Sequence, residues 1–470
     1  MEVRNQLSSN LIYWVSRNIW LIIASIFGIL FYFIPAPAGL SIEGWRTIII
    51  AVIALILIVT EPIPLPGIAF IIIILQVYFG VADANSVSKA FMNDAVFFIM
   101  GSLMLAVAII QQGWDARIAL GIIRLTGSST TRIAFGFSTI AAILSSFIGE
   151  HTVAAIMLPI GLTLIRFTSE DKEQTTQLSA LILFSIAYGC LIGSIGTPSG
   201  GGRNVIMMIY WKEYGVEPLS YWRWMVYVYP LVLLQLPLLA WVLRSTFKPE
   251  FSRLDSGVRR LKVQVARSGK ITDQQKLAAF LFLVVFIGWV FLSETFGLGI
   301  IAITGVVLYI VTDLVKWEDI NKHVNWGVII LFGAAISLGV QIKNSGAAHW
   351  LANIVLNSMG DEWLNIPIVT DSIIILLTTT MANLLSSSAT VAVLGPVILN
   401  LPGDAIHTGL VATIVSAFGY FTAVAAPACT IVYSCGLLRS KDFLRAGWKM
   451  GTISIGLILV YANVYWRFLQ

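Results

Sequence analysis

The chain has 470 residues, of which 58% are hydrophobic and 11% are charged, and its mean hydropathy is +0.88. Soluble globular domains carry roughly 25% charged residues, so this composition excludes an ordinary soluble protein. The many apolar stretches near membrane-spanning length predict a polytopic membrane protein. The formal net charge of +5 does not indicate nucleic-acid binding, because the excess is concentrated in one segment.

Residues 1–18, MEVRNQLSSNLIYWVSRN, are too polar for a cleavable signal peptide and predict a short amphipathic segment at the membrane surface. Apolar stretches follow near 19–35, 44–60, 66–81, 95–112, 152–166, 178–195 and 221–243. Beyond residue 276, further apolar stretches lie near 277–296, 298–315, 326–342, 390–400, 408–425 and 447–466.

The longest polar stretch lies between these two groups, at 248–276, and we call it the basic segment. It holds eight Lys and Arg residues against three acidic residues. The positive-inside rule places such a segment in the cytoplasm. An amphipathic interfacial helix in the same segment is compatible with that side.

Two apolar stretches end in clusters of polar and small residues. The stretch near 131–148 ends in GEHT, and the stretch near 367–385 ends in SSSAT. Another apolar stretch with a proline, Pro159 or Pro396, follows each cluster at once. This pattern predicts two re-entrant hairpins, which are tolerated in a membrane where the non-helical tip lines a protein cavity.

The two halves of the chain resemble each other in the same order. VFFIMGSLMLAVAIIQQGWDARIALGII (96–123) is similar to VIILFGAAISLGVQIKNSGAAHWLANIV (328–355), and the two hairpin patterns follow. SIGTPSGGGRN (194–204) then pairs with VAAPACTIV (424–432), each carrying Gly, Pro or small residues where a membrane helix should continue. Three pairs in one order predict an inverted repeat.

The predicted fold is therefore an all-α polytopic membrane protein with about 11 transmembrane helices and two re-entrant hairpins. Short, Gly- and Pro-interrupted segments at matching places in two halves are typical of a transporter's binding site. A helix broken inside the membrane presents unpaired N–H groups, and these together with the helix dipole favour an anion.

Several motifs resemble those of the divalent anion/sodium symporter family, whose dicarboxylate branch carries citrate, succinate and related dianions, and whose other members carry sulfate. TEPIPLPGIAFIII (60–73) is similar to the family's Thr-Glu-Ala-Leu-Pro-Leu-Pro segment. HTVAAIMLPI and SSSATVAVLGP follow the patterns after its two Ser-Asn-Thr motifs. VAAPACTIVYSCGLLRSKDFLRAGWKMG (424–451) resembles its Pro-Pro-Asn region.

The resemblance implies a homodimer in which each protomer has a scaffold domain and a moving transport domain. Substrate is expected between the hairpin tips and the two unwound segments, and transport is expected to follow an elevator mechanism. The expected regions are 1–90 (interfacial segment and scaffold helices), 91–215 (first-repeat transport elements with hairpin one), 216–320 (scaffold helices and the basic loop) and 321–470 (second-repeat transport elements with hairpin two).

This sequence departs from the family at the tips. Gly149-Glu150-His151 stands where the first Ser-Asn-Thr motif belongs, and Ser386-Ser387-Ser388 where the second belongs. Both hairpin asparagines, which bridge substrate and sodium in the family, are absent. Asn204 corresponds to the first-half motif only if several residues are inserted before it. The predicted substrate-binding residues are Gly149, Glu150, His151, Thr152, Thr197, Pro198, Ser199, Gly200, Arg203, Asn204, Ser386, Ser387, Ser388, Thr390, Ala426 and Pro427.

Three of these residues carry the functional hypothesis. Arg203 either reaches the membrane interface or supplies a fixed positive charge near the anion, with the planar donor fork that suits a carboxylate. Glu150 is its natural partner, because a pair costs less to bury than either charge alone. His151 has three interpretations: a substrate donor, a proton carrier, or a hydrogen-bonded tip residue.

Other polar residues receive structural interpretations. Glu61, beside two prolines, is expected to fix a loop at the end of a span, and Asp94, Asp371 and Lys343 are expected near span ends. The cysteines are too few for a disulfide framework or a zinc site. His-Glu-x-x-His and Gly-x-Ser-x-Gly patterns are absent from the sequence, so no enzyme, cofactor or metal site is predicted.

The predicted function is secondary transport of small divalent organic anions across the cell (inner) membrane. Candidates are C4 dicarboxylates such as succinate, malate and fumarate, or 2-oxoglutarate. Because the characteristic sodium ligands are missing, the prediction is sodium-independent exchange. The alternatives are a proton- or sodium-coupled symporter of dicarboxylate, citrate or sulfate, and a channel or membrane sensor. The expected partners are the dianion, the lipid bilayer and a second copy of the chain.

Overall fold

The computed structural model describes residues 18–469 apart from 115–116, 119–120, 122–125, 170–172, 267–269, 360–365 and 424. Residues 1–17 of the predicted interfacial segment lie outside this range. Within it, the regular elements are helices, with one isolated bridge between Ser129 and Arg253. The predicted all-α class is confirmed.

The first half supplies α1 to α11. Their bounds are α1 Ile19–Tyr32, α2 Ile42–Thr60, α3 Leu65–Tyr78, α4 Ala84–Phe91, α5 Asp94–Gln111, α6 Thr130–Ile148, α7 Glu150–Thr168, α8 Thr176–Gly193, α9 Gly202–Glu213, α10 Tyr221–Thr246 and α11 Asp255–Ala266. Short 3-10 turns lie at Glu173–Thr175 and Pro198–Gly200.

The second half supplies α12 to α21. Their bounds are α12 Asp273–Phe296, α13 Leu298–Val311, α14 Trp317–His323, α15 Trp326–Asn344, α16 Ala347–Met359, α17 Pro367–Leu384, α18 Ser387–Ile398, α19 Ala405–Val415, α20 Pro427–Ser434 and α21 Ser440–Val464. A 3-10 turn, Trp466–Phe468, follows α21.

Ten helices of the described residues are long and apolar enough to cross a membrane, and five shorter apolar helices accompany them. The ten include both arms of hairpin one, α6 and α7, and the first arm of hairpin two, α17. The structure is therefore that of a multi-pass membrane protein. Three polar residues expected near span ends lie there: Asp94 opens α5, Asp371 lies in the second turn of α17, and Lys343 lies in the last turn of α15.

The basic segment marks one face of the molecule. The N–H of Thr130, where hairpin one begins, donates to the carbonyl of Ser252 at 3.1 Å. The N–H of Gln177, where α8 begins, donates to the carboxylate of Glu250 at 2.8 Å. α11 packs against the second arm of hairpin one near its end. Both outer ends of hairpin one, and the start of α8, therefore lie at the basic face.

The opposite face is marked by the outer ends of hairpin two. His407, in the first turn of α19, hydrogen-bonds Asp371 of α17 at 3.0 Å, and Asn463 at the end of α21 donates to the same carboxylate at 2.8 Å. Lys449, in the first half of α21, donates to the hydroxyl of Thr246 at 3.1 Å, where α10 ends next to the basic segment. The outer ends of hairpins one and two thus lie at opposite faces of the molecule, as an inverted repeat requires.

Each half also contains a helix that is interrupted in the middle. α8 and α9 are separated by residues 194–201, and we call this segment break one. α19 and α20 are separated by residues 416–426, which we call break two and of which residue 424 lies outside the described residues. Tyr214, at the end of α9, donates to the carbonyl of Pro396 at the opposite face. The α8–α9 pair therefore runs from one face to the other through break one.

Candidate functional site

Break one is stabilised by side chains that replace its missing helical hydrogen bonds. The Asn204 amide donates to the carbonyls of Ser194 and Thr197, at 2.8 and 2.7 Å. The Thr197 hydroxyl donates to the carbonyl of Ser146 in hairpin one, and the Ser199 hydroxyl reaches the same carbonyl at 3.3 Å. Buried carbonyls outside a helix need such partners. Break one and the tip of hairpin one are consequently tied together.

The first arm of hairpin one lies against α8 at very short distance. The hydroxyls of Ser145 and Ser146 donate to the carbonyls of Cys190 and Gly193, at 2.9 and 2.8 Å. A Cβ atom at Gly193 would lie 2.0 Å from the carbonyl oxygen of Ala142. Only glycine fits at this position, so the packing fixes the tip relative to break one.

Glu150 and Arg203 form a buried ion pair. Both terminal nitrogens of Arg203 lie 3.5 Å from Glu150 Oε2, and their side chains are 1% and 7% exposed, for Arg203 and Glu150 respectively. The hydroxyl of Ser194 donates to the same carboxylate oxygen at 3.1 Å and accepts a hydrogen bond from Arg203. The predicted pairing is confirmed, and the alternative that Arg203 reaches the interface is wrong.

The tip of hairpin one turns at Gly149, whose φ of +82° suits glycine. His151 follows in the first turn of α7, and its Nε2 atom is buried without a hydrogen-bond partner among the described residues. A buried polar atom without a partner is costly. An imidazole with a buried, unpartnered Nε2 atom at a cavity wall is therefore suited to form a hydrogen bond with a bound ligand.

The tip of hairpin two is built from serines. Ser386 caps α18 by accepting from the N–H of Ala389 at 3.3 Å, and Thr390 donates back to the carbonyl of Ser386 at 3.1 Å. The Ser387 hydroxyl is buried and has no partner among the described residues. Neutral donors without partners on this tip can bind an oxyanion.

Asn383, near the end of α17, holds break two in place. Its amide donates to the carbonyl of Phe418 at 3.2 Å, and its amide oxygen accepts from the N–H of Phe421 at 3.0 Å. Thr422 donates to its main-chain carbonyl at 3.1 Å. Sequence reasoning missed Asn383, although a lone asparagine in an apolar run three residues before the serine cluster is a usable signal.

A cavity of roughly 610 Å³ lies where the two tips, break one and the start of α20 meet. Ten of the sixteen predicted substrate-binding residues line it: Gly149, Glu150, His151, Ser199, Gly200, Arg203, Ser386, Ser387, Ser388 and Pro427. The other six are buried and are not among its lining residues: Thr152, Thr197, Pro198, Asn204, Thr390 and Ala426.

The remaining wall of the cavity comes from residues that the sequence did not identify. Ser102 of α5 and Asn325 before α15 contribute polar groups, and the Ser102 hydroxyl has no partner among the described residues. Glu61 terminates α2 in a left-handed conformation, with φ of +40°, and also lines the cavity. The position of Glu61 is thus compatible with the expected role of fixing a loop at a span end. The sequence did not predict that Glu61 also lines the cavity.

Among the described residues, no group of three or more His, Cys, Asp or Glu side chains is placed to hold a metal ion. The three cysteines are free, with Cys190 and Cys429 buried and Cys435 partly exposed. The polar side chains that the described residues present to the cavity are a guanidinium, an imidazole, an amide, hydroxyls and two carboxylates.

Residues 15–470 match the model of the family described as the sodium:sulfate symporter transmembrane region. The chain belongs to this family. The predicted resemblance to divalent anion/sodium symporters is confirmed, and in a bacterium such a multi-pass protein lies in the inner membrane.

Curated relatives of this family member match over most of its length. The sodium-dependent dicarboxylate transporter SdcS of Staphylococcus saprophyticus is 26% identical over 478 residues, covering 95% of this chain and 91% of that protein. The transporter of the same name from Staphylococcus aureus is 26% identical over 432 residues, covering 86% and 82%.

Two solved transporter structures share the fold. MtrF of Neisseria gonorrhoeae, described as illuminating a class of antimetabolite efflux pumps, has a TM-score of 0.55 at 12% identity, covering 83% of this chain and 85% of that one. The YdaH transporter of Alcanivorax borkumensis has a TM-score of 0.53 at 12% identity, covering 82% and 88%. At this identity the likeness is one of fold alone.

Proposed function

We propose that the protein transports small dicarboxylate dianions across the membrane and binds them in the cavity between the two hairpin tips. The observation that carries this proposal is the convergence on one cavity of unpartnered polar atoms from both tips, at His151 and Ser387, with the Arg203 guanidinium beside them. Dicarboxylates are the substrates named for the SdcS relatives.

The sixteen predicted residues divide into two proposed roles. Those that line the cavity contact the dianion, with Arg203 and His151 facing its carboxylates. Those that lie outside the lining set hold the breaks and tips in position, as the hydrogen bonds of Thr197 and Asn204 indicate. No residue has a proposed catalytic role, because the relatives are named as transporters.

Sodium-coupled uptake is the proposed mode. The expected sodium-independent exchange gains no support from the relatives, which are named sodium-dependent, and the alternative of sodium symport fits them better. Exchange stays the second candidate because of one observation. The buried Glu150–Arg203 pair puts a guanidinium of the protein itself at the first tip, where it could stand in for a bound cation so that substrate binding needs no sodium.

Several finer features belong to the proposal as well. The two hairpins are re-entrant, with their tips inside the membrane and their outer ends at opposite faces. The regions 91–215 and 321–470 form a moving transport domain, the regions 1–90 and 216–320 form a scaffold, and two copies assemble through the scaffold. Movement of the transport domain by an elevator mechanism carries the cavity across the bilayer.

The test is uptake of labelled succinate into proteoliposomes containing the purified protein. The vesicles carry an inward sodium gradient, or choline in its place, and each condition is run with and without internal succinate. Sodium-driven accumulation supports symport, and uptake that requires internal succinate but no sodium supports exchange. Absence of saturable, protein-dependent uptake of succinate, malate, fumarate or 2-oxoglutarate in all four conditions contradicts dicarboxylate transport.

A further inference from the structure

The charges that face the cavity do not balance. Its charged lining residues, among those that the structure describes, are Glu61, Glu150 and Arg203. Two carboxylates and one guanidinium leave one negative charge in excess, and Glu150 already neutralises Arg203 by direct pairing. A dianion that enters raises this excess to three. Glu61 is exposed and its charge is screened by solvent, whereas Glu150 and Arg203 are buried and already form a neutral pair. A dianion placed beside that pair adds negative charge without compensation, so positive charge that enters with the substrate stabilises the complex.

His151 is the one histidine in that lining, and its geometry suits a proton acceptor. Its Nε2 is buried and has no hydrogen-bond partner in the described part of the chain. It lies at the tip of hairpin one directly after Glu150. An imidazole is the side chain whose charge changes between about pH 5 and 8. No hydrogen bond from the described residues fixes the protonation of this Nε2 atom.

The groups around His151 allow the proton to be gained and lost. Glu150 on the same helix is committed to Arg203 of α9. Glu61 faces the cavity from α2, and the thiols Cys190 of α8 and Cys429 of α20 are both buried. In the empty cavity the buried carboxylate next to an imidazolium, Glu150, is already paired with Arg203, and Glu61 is exposed to solvent. A bound dianion supplies that missing counter-charge.

We propose that His151 takes up one proton when the dianion binds and releases it when the dianion leaves, so that each transport cycle carries a proton with the substrate. The inference rests on the proposed function, since it requires a dianion in this cavity. Sodium ions compensate part of the remaining charge where the transport is sodium-coupled. The proton is a second coupling ion, specific to a tip that has histidine at this position.

The experiment uses fumarate, which is already a dianion across the tested range, so that substrate protonation does not imitate carrier protonation. Proteoliposomes enclose a pH-sensitive dye, with equal sodium on both sides, and labelled fumarate is added outside. Dye and label are followed together for the wild type, for His151→Gln and for His349→Gln. His349 is exposed and lies outside the cavity lining, and its replacement is the matched control.

We expect acidification of the lumen in proportion to fumarate entry in the wild type and in His349→Gln. We also expect uptake to rise several-fold as the external pH falls from about 8 to 6, the range in which imidazole titrates. In His151→Gln, the residual fumarate entry should occur without acidification, and its pH profile should be flat. Fumarate entry without acidification in the wild type, or an unchanged proton flux in His151→Gln, overturns the inference.

A binding measurement keeps the inference testable if His151→Gln transports too slowly to follow. Fumarate should raise the thermal unfolding temperature of the wild type more at pH 6 than at pH 8, by linkage of proton and ligand binding, and this difference should vanish in His151→Gln. A difference of equal size in the variant overturns the inference. Failure of the wild type to bind or transport any dicarboxylate contradicts the proposed function instead.

Discussion

Arg203 has 1% of its side chain exposed, and its hydrogen-bond partners among the described residues are Glu150 and Ser194. Removing one member of a buried pair leaves the other charge uncompensated, at a cost of about 3–5 kcal/mol. We expect Glu150→Gln to lower the thermal unfolding temperature in detergent and to reduce dicarboxylate uptake strongly.

The double variant Glu150→Gln/Arg203→Gln is the control for this prediction. It removes both charges at once, so no buried ion stays unpaired, and the two effects should not add. We expect it to recover most of the lost stability without recovering uptake, because the guanidinium that faces the substrate is gone. A double variant less stable than either single variant would show that the two residues do not stabilise the protein as a pair.

At the scale of secondary-structure elements, the close packing of α6 against α8 depends on glycine residues of α8. A Cβ at Gly193 would approach the carbonyl oxygen of Ala142 to 2.0 Å, and one at Gly189 would approach that of Ser138 to 2.6 Å. Small residues let membrane helices approach this closely. Since α6 carries the first tip and α8 leads into break one, this contact sets the shape of the cavity.

We expect Gly193→Ala to destabilise the protein by about 1–3 kcal/mol, the range for an overpacked core, and to weaken substrate binding by displacing the tip. The measurements are thermal unfolding and the KM of uptake. Gly456→Ala is the matched control, because Gly456 lies exposed on α21 with open space around its Cβ position. It should be neutral or slightly stabilising, as expected for alanine in a helix. Equal effects of the two substitutions would argue against the close contact.

At the scale of the whole molecule, the sequence predicts those parts that local patterns encode. The tip at Glu150 and the intramembrane Arg203 are visible because charges are rare in apolar runs, and their pairing follows from the cost of burial. Ser102 and Asn325 give no such signal. They reach the cavity only because α5 packs against hairpin one and α15 packs against hairpin two, and this tertiary placement has no local pattern. The Asp371–His407 contact likewise joins two helices that share no sequence motif.

The inverted arrangement of the hairpins leads to a prediction about sidedness. The basic segment and the loop before α10 lie at opposite faces, with Lys270 exposed on the first and Glu217 on the second. Cys435 is the one partly exposed cysteine of the described chain, so Cys435→Ser provides a background without an accessible thiol for single-cysteine labelling. Under the positive-inside rule, a membrane-impermeant maleimide should label Glu217→Cys in intact cells and Lys270→Cys only after permeabilisation. The reverse pattern would invert the orientation while keeping the fold, whereas labelling of both positions from one side would contradict the assignment of the two faces.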